Sequence, residues 1–176
     1  MPDLVARVAA GATAGFAATG PMTLVMAAGR EALPEREQYP LPQRTITERT
    51  AQAADLGQRM TDAQKEAATA VGHFGYGAAT GAVYGVLAPL LPFGPVLNGV
   101  AFGLGVWAGS YLGWLPAAGL HPPAHHESAG RNATMIAAHV VWGAVLGILT
   151  DQMVGGRDGD GEGPRTARSR EFAAAG

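Results

Sequence analysis

Hydrophobic and polar positions along this chain separate into long blocks. Stretches rich in Ala, Gly, Val and Leu run over about 4–28, 67–91, 96–118 and 132–152, with a polar segment at 29–66 and a charged, Gly-rich tail at 155–176. From Ala67 to His126, sixty consecutive residues contain no Asp, Glu, Lys or Arg. A soluble domain keeps such a run only if all of it is interior, and one small core has no room for that. A bilayer removes the difficulty, because its hydrocarbon layer of roughly 30 Å is crossed by about 20 mostly apolar residues in a helix. The uncharged run then makes two spans joined by a turn at Pro89, Pro92, Gly94 and Pro95. The pattern predicts an all-α integral membrane four-helix bundle over residues 1–154, followed by a disordered tail.

Local signals refine these elements. Gly20-Pro21 predicts a kink in the first span. In the polar segment, Tyr39-Pro40-Leu41-Pro42 marks a turn, and a short surface helix is expected from Thr45 to about Met60. Thr45 and Glu48 are placed to form its capping box, and Thr61-Asp62 opens the second span. Met1-Pro2-Asp3 lacks the basic start of a signal peptide, so the first apolar run reads as a retained span. Asp158, Asp160 and Glu162 resemble the opening of a calcium loop, but Ser169 stands where the closing Glu is needed, and that reading fails.

Composition sharpens the picture only in part. Mean hydropathy is a low +0.11 because the two charged segments dilute the apolar blocks. No cysteine is present, which excludes disulfides, thiolate metal sites and cysteine nucleophiles. The net charge of −2 gives no reason to expect nucleic acid. No Ser has a base and an acid arranged around it, and no Gly-rich loop joins a strand to a helix. The expectation is a non-enzyme without cofactor, whose partners are the lipid bilayer and other membrane proteins or a second copy of itself.

Helices in lipid associate by close packing, which favours small residues four apart. Every span carries such a stripe: Gly11/Gly15, Gly77/Gly81/Gly85, Gly105/Gly109/Gly113 and Gly143/Gly147. They predict a tight bundle without a wide central pore. An internal echo accompanies them. His73, Tyr76, Gly77 and Gly81 recur as His139, Trp142, Gly143 and Gly147, and Gly11/Gly15 resembles Gly99/Gly103. Two helical hairpins related by a pseudo-twofold axis along the membrane normal would produce it.

Four spans put both long loops on one side. His73 and His139 then lie about two turns into spans that start from that side, and His121, His125 and His126 lie in the second loop beside Glu127. Three readings stay open for this set: neutral imidazoles bonded across helices, a proton- or pH-responsive group, or a metal or cofactor site.

Three segments carry a resemblance: Tyr39-Pro-Leu-Pro-Gln-Arg44, His73-Phe-Gly-Tyr-Gly77, and Gly119-Leu-His-Pro-Pro123 followed by His139-Val-Val-Trp142. Their order over about residues 5–152 resembles the YagU-like bacterial inner-membrane proteins, which carry a domain of unknown function. The resemblance implies a multi-span inner-membrane protein without established catalytic residues, with both termini cytoplasmic. Arginine and lysine counts do not settle orientation, because the loop side carries seven basic residues beside many acids. Functionally, the sequence points to an accessory or stress-related membrane component. A small transporter or proton- or metal-handling protein using the same-side histidines is the alternative, and a haem-binding or enzymatic subunit is the least favoured.

Overall fold

The computed structural model describes residues 4–159, and these are mostly helical, with no strand among the described residues. Helix α1 spans Leu4–Ala32, α2 Pro42–Ala53, α3 Asp62–Leu87, α4 Pro95–Ala108, α5 Leu115–Ala117 and α6 Ala129–Gly159. A π-helical segment, Gly109–Trp114, joins α4 to α5 without a break.

Helix ends follow local chemistry. Thr61 and Gln64 form a reciprocal capping box that opens α3. Pro95 opens α4 at a position whose N–H would have no helical partner anyway. The same effect at Pro42 overrides the expected Thr45–Glu48 cap. Helix α2 begins at Pro42 with Leu41 as its N-cap, so Thr45 and Glu48 lie inside it, and Glu48 accepts instead from Arg44 Nε at 2.6 Å. Helix α1 continues through Pro21, and the Thr19 hydroxyl turns back to the Gly15 carbonyl at 2.8 Å. In the turn after α3, Asn98 accepts from the Phe93 N–H and donates to the Phe93 carbonyl, so irregular backbone there is satisfied within the protein. Helix α6 reaches Gly159, so the expected tail is helical over 155–159; its remainder, 160–176, lies outside the described residues.

Among the described residues, three helices are long and apolar enough to cross a membrane: Leu4–Glu31, Pro95–Ala117 and Ala129–Gly155. Helix α3 has 26 residues but opens on Asp62, Lys65 and Glu66 and is diluted by Gly, Ala and Thr.

The long helices pack in the order α3, α1, α6, α4. Glycines make two of these three contacts. Gly11 and Gly15 of α1 meet Gly77, Gly81 and Gly85 of α3, and a Cβ on Gly15 would stand 2.8 Å from the Gly81 Cα. Gly99 and Gly103 of α4 meet Gly143 and Gly147 of α6, where a Cβ on Gly143 would stand 2.8 Å from the Gly99 carbonyl carbon. The central contact, α1 on α6, uses side chains: Ala14, Ala18, Met22 and Met26 against Met135, Ala138, Trp142 and Leu146. The Trp142 indole N–H also donates to the Gly15 carbonyl at 3.1 Å.

The structure corrects the packing role expected of Gly105, Gly109 and Gly113. All three are exposed, and a Cβ at Gly105, at Gly109 or at Gly113 would meet no atom within 4 Å. At about 100° per residue, Gly105 lies about 200° around the helix from Gly103, so the packed face of this helix is the one carrying Gly99 and Gly103. Gly113 departs from the expectation for a second reason. It lies in the π-helical segment, whose wider turn breaks the register that a spacing of four needs to share one face.

Helices α3 and α4 touch near their connecting turn, where Tyr84 and Phe102 lie 5.3 Å apart between ring centroids. They meet again where the Tyr76 hydroxyl and Ser110 Oγ lie 3.0 Å apart, and elsewhere they diverge.

Backbone contact makes the two packed stripes intolerant of a single methyl group. Gly15→Ala or Gly143→Ala should destabilise the protein by about 2 kcal/mol, the order expected for overpacking. Gly109→Ala should change stability by less than about 0.5 kcal/mol. Thermal unfolding in a mild detergent checks both, and equal effects at Gly15 and Gly109 would refute the assignment of faces.

Candidate functional site

The divergence of α3 from α4 leaves a cavity of about 500 Å³. Helices α1, α3 and α6 and the π-helical segment wall it, and α2 covers it. One face of α2, carrying Gln43, Ile46, Thr47, Thr50, Ala51 and Ala54, lines the cavity at the 3–4 residue spacing of an amphipathic helix. The π-helical turn sets Ser110, Tyr111 and Trp114 on the opposite wall; such turns are frequent at functional sites.

His73 and His139 both stand on the walls of this cavity. His139 is 5% exposed, and its Nδ1 lies 2.7 Å from the Met135 carbonyl. A carbonyl oxygen only accepts, so Nδ1–H donates and Nε2 keeps its lone pair. His73 Nε2 and Gln43 Oε1 are buried atoms without a hydrogen-bond partner. The Tyr111 hydroxyl has only the Met135 sulfur, at 4.0 Å. None of the lining residues is Asp, Glu, Lys or Arg. A shallow groove between α1, the start of α2 and α3 does carry charge, through Arg30, Arg44, Asp62 and Glu66, and His73 belongs to its wall as well.

A second polar cluster ties the loops together. Arg131, at the start of α6, is 5% exposed. Its Nε donates to Glu127 Oε2 at 2.8 Å, and its Nη atoms donate to the carbonyls of Glu37, Tyr39 and Pro40 at 3.1–3.3 Å. Its guanidinium carbon lies 3.5 Å from the centre of the Tyr39 ring. The Tyr39 hydroxyl donates to Glu127, and Ser128 donates to Glu37. Desolvation, followed by the hydrogen bond to Glu127, holds the Tyr39 phenol above its ordinary pKa, so it stays a donor at neutral pH. This clasp fixes the chain entering α2 to the start of α6.

The histidines and Glu127 do not form one site, which corrects the expectation of a single cluster. His73 and His139 face the cavity. His121 belongs to the clasp: its Nδ1–H donates to the Pro122 carbonyl at 2.7 Å and its Nε2 lies 3.9 Å from Glu127 Oε1. His121 also meets the Tyr111 ring edge-on at 5.2 Å, and Tyr111 in turn meets His139 at 5.9 Å. His125 and His126 are exposed and meet edge-on. The buried Ala124, whose carbonyl accepts from Asn132 at 2.6 Å, pins that turn with both rings outward. Among the described residues no three of His, Asp and Glu stand close enough to hold a metal ion. Arg131, Tyr39, Gln43 and Tyr111 carry the sites' geometry, although the sequence marked none of them as a site residue: Tyr39 and Gln43 entered only within the Tyr39–Arg44 motif. The one local signal was the Glu127/Arg131 spacing of four at a helix start.

A family model described as a protein of unknown function (DUF1440) matches residues 23–148. The match runs from the second half of α1 into α6 and includes His73, Glu127, Arg131 and His139. No curated protein and no solved structure matches the chain.

Removing Arg131 leaves Glu127 buried without its cation. Arg131→Ala should cost about 3 kcal/mol in thermal unfolding, the scale of a broken buried pair. Arg131→Lys should recover little of it, because an ammonium cannot reach four oxygens as the planar fork does. Full stability of the lysine variant would refute the clasp as a directional network.

Proposed function

The chain belongs to the DUF1440 family of proteins of unknown function, and from that premise we propose that it is a four-span membrane protein that works by holding a ligand in its internal cavity, without catalysing a reaction. The observation that carries this reading is the cavity of about 500 Å³ with unpartnered polar atoms of His73 and Gln43 on its wall. Its size falls within the roughly 300–1,000 Å³ of small-molecule sites. Buried polar atoms without partners are uncommon, and a ligand satisfies them.

Counting α3 as the fourth span is supported by the uncharged run that begins at Ala67 and by its glycine contact with α1. Its 26 residues extend roughly 39 Å, enough to cross the hydrocarbon layer. The duplication reading gains support from the glycine contact that recurs within each hairpin, α1 with α3 and α4 with α6, while the counterparts Tyr76 and Trp142 both bond across hairpins, though to non-equivalent partners. Tyr76 of α3 reaches Ser110 after α4, and Trp142 of α6 reaches Gly15 of α1. The YagU-like resemblance suggests a bacterial inner membrane with cytoplasmic termini. An accessory role among other membrane proteins is compatible with ligand holding. The alternative, passage of a proton or solute, is favoured by one observation: His73 lies on the wall of both the cavity and the charged groove. Its metal-handling form has no three-donor cluster among the described residues to rest on.

Gly72 offers a direct test, since it lines the cavity and a Cβ there meets no atom within 4 Å. Gly72→Phe should fill the cavity with thermal stability unchanged or raised. Native mass spectrometry from mild detergent should show an adduct of defined mass on the unsubstituted protein and none on this variant. An adduct retained by Gly72→Phe would refute the cavity as the binding site. For the alternative, proton flux in proteoliposomes should fall several-fold in His73→Ala and His139→Ala, and unchanged flux would refute it.

A further inference from the structure

We infer that the cavity takes an uncharged, hydrogen-bonding amphiphile from the bilayer leaflet on the loop side, with its polar head between His73, His139 and Gln43 and its apolar body against the methionines. The inference rests on the ligand-holding reading and adds the chemistry and route of the ligand.

Charge is the first argument. Among the described residues, no Asp, Glu, Lys or Arg lines the cavity. A charged headgroup would be stripped of water there with no counter-ion, a far greater penalty than a neutral hydroxyl, carbonyl or amide meets when its hydrogen bonds are replaced. Charged side chains stand close by in the groove that shares His73 and Gln43, but Arg44 pairs there with Glu48 and Asp62, and the Glu127–Arg131 pair is closed on itself; none of them is part of the cavity wall.

The polar atoms supply the second argument. His139 presents a lone pair at Nε2, because its Nδ1–H is committed to Met135. Gln43 Oε1 is an acceptor without a partner, and His73 Nε2 is a donor or acceptor according to its tautomer. The two fixed acceptors call for two donors: a primary amide donates to both and accepts from His73, and an alcohol donates to one of them and accepts from His73. Met22, Met26 and Met60 line the remainder, and flexible thioethers adapt to an alkyl or ring body without a fixed shape.

Exposure locates the mouth. Among lining residues, Leu56, Tyr76 and Trp114 are 47%, 41% and 45% exposed, and Gly72 is exposed beside them. Gly72 and Tyr76 of α3 and Trp114 before α5 surround the point where Tyr76 meets Ser110, and Leu56 lies in the turn between α2 and α3. Trp114 lies three residues before the loop end of the α4–α5 rod, at the depth where aromatic side chains meet the membrane–water boundary, and Tyr76, 6.0 Å away between ring centroids, lines the way inward. The opening therefore faces lipid near the headgroup level, and an amphiphile reaches it sideways without crossing water.

Trp114 and Trp142 line the cavity and report on its contents. The protein in phosphatidylcholine nanodiscs is titrated with a brominated long-chain alcohol, and separately with the brominated carboxylate and trimethylammonium of the same chain length. The alcohol should quench tryptophan fluorescence saturably, compete with its unbrominated form, and bind about tenfold more tightly than either charged probe. His73→Leu and Gln43→Leu should each weaken it about fivefold, the loss of one neutral hydrogen bond, with unfolding temperatures confirming that both variants fold. A charged probe that binds as tightly as the alcohol overturns this inference and leaves the ligand-holding reading standing. Quenching by all three probes no greater than in Gly72→Phe overturns both.

Discussion

Contact between helix backbones at glycine governs the rest of this structure. Within lipid, apolar side chains gain little by leaving the hydrocarbon for each other, so two helices hold together only where their surfaces fit closely or bond. On α1/α3 and α4/α6 that fit is reached by removing side chains altogether, at Gly11, Gly15, Gly77, Gly81 and Gly85 and at Gly99, Gly103, Gly143 and Gly147. Each pair becomes a stiff ribbon. The ribbons then join on one side only, through the alanines, methionines and Trp142 between α1 and α6. Where α3 faces α4 there is no such stripe, because α4 has already committed its Gly99/Gly103 face to α6. The cavity is the geometric remainder of that asymmetry.

Its cover is held from both ends. Arg131 gathers the carbonyls of Glu37, Tyr39 and Pro40 immediately before α2 starts at Pro42. Farther along α2, Arg49 donates to the Gly119 carbonyl at 3.0 Å, which ties the cover to the end of α5. A soluble loop of this composition would be mobile; here one buried guanidinium and one surface arginine fix it across two neighbouring helices. The charges gather in the clasp and in the groove outside His73, where they pair with one another, and the cavity wall stays free of them.

The histidines show how far spacing carries an argument. The approach of His73 and His139 to one another was legible from chain order, since α3 and α6 both start from the end of the bundle that carries the long loops. Which of the other histidines join them was not. His125 and His126 adjoin His121 in sequence, yet the buried Ala124 turns both outward while His121 turns in. Arg131 read as one more loop charge, because nothing in the sequence marks which arginine will find four oxygens.

The sequence alone determined what depends on composition and short range: helices, their approximate spans, the capping of α3 at Thr61, and an apolar setting for the long uncharged run. It also revealed small-residue stripes, because a spacing of four shares a face wherever the helix stays regular. Only the tertiary structure decided which stripe meets which. Gly99 and Gly103 obey the same local rule as Gly105 and Gly109 on opposite faces of one rod, and a partner has to choose between them. Gly113 falls beyond that choice, because the π-helical turn carries it off the register of the other two. The choice itself, made by packing between residues far apart in the chain, is what opened α3 from α4 and placed two imidazoles in one cavity.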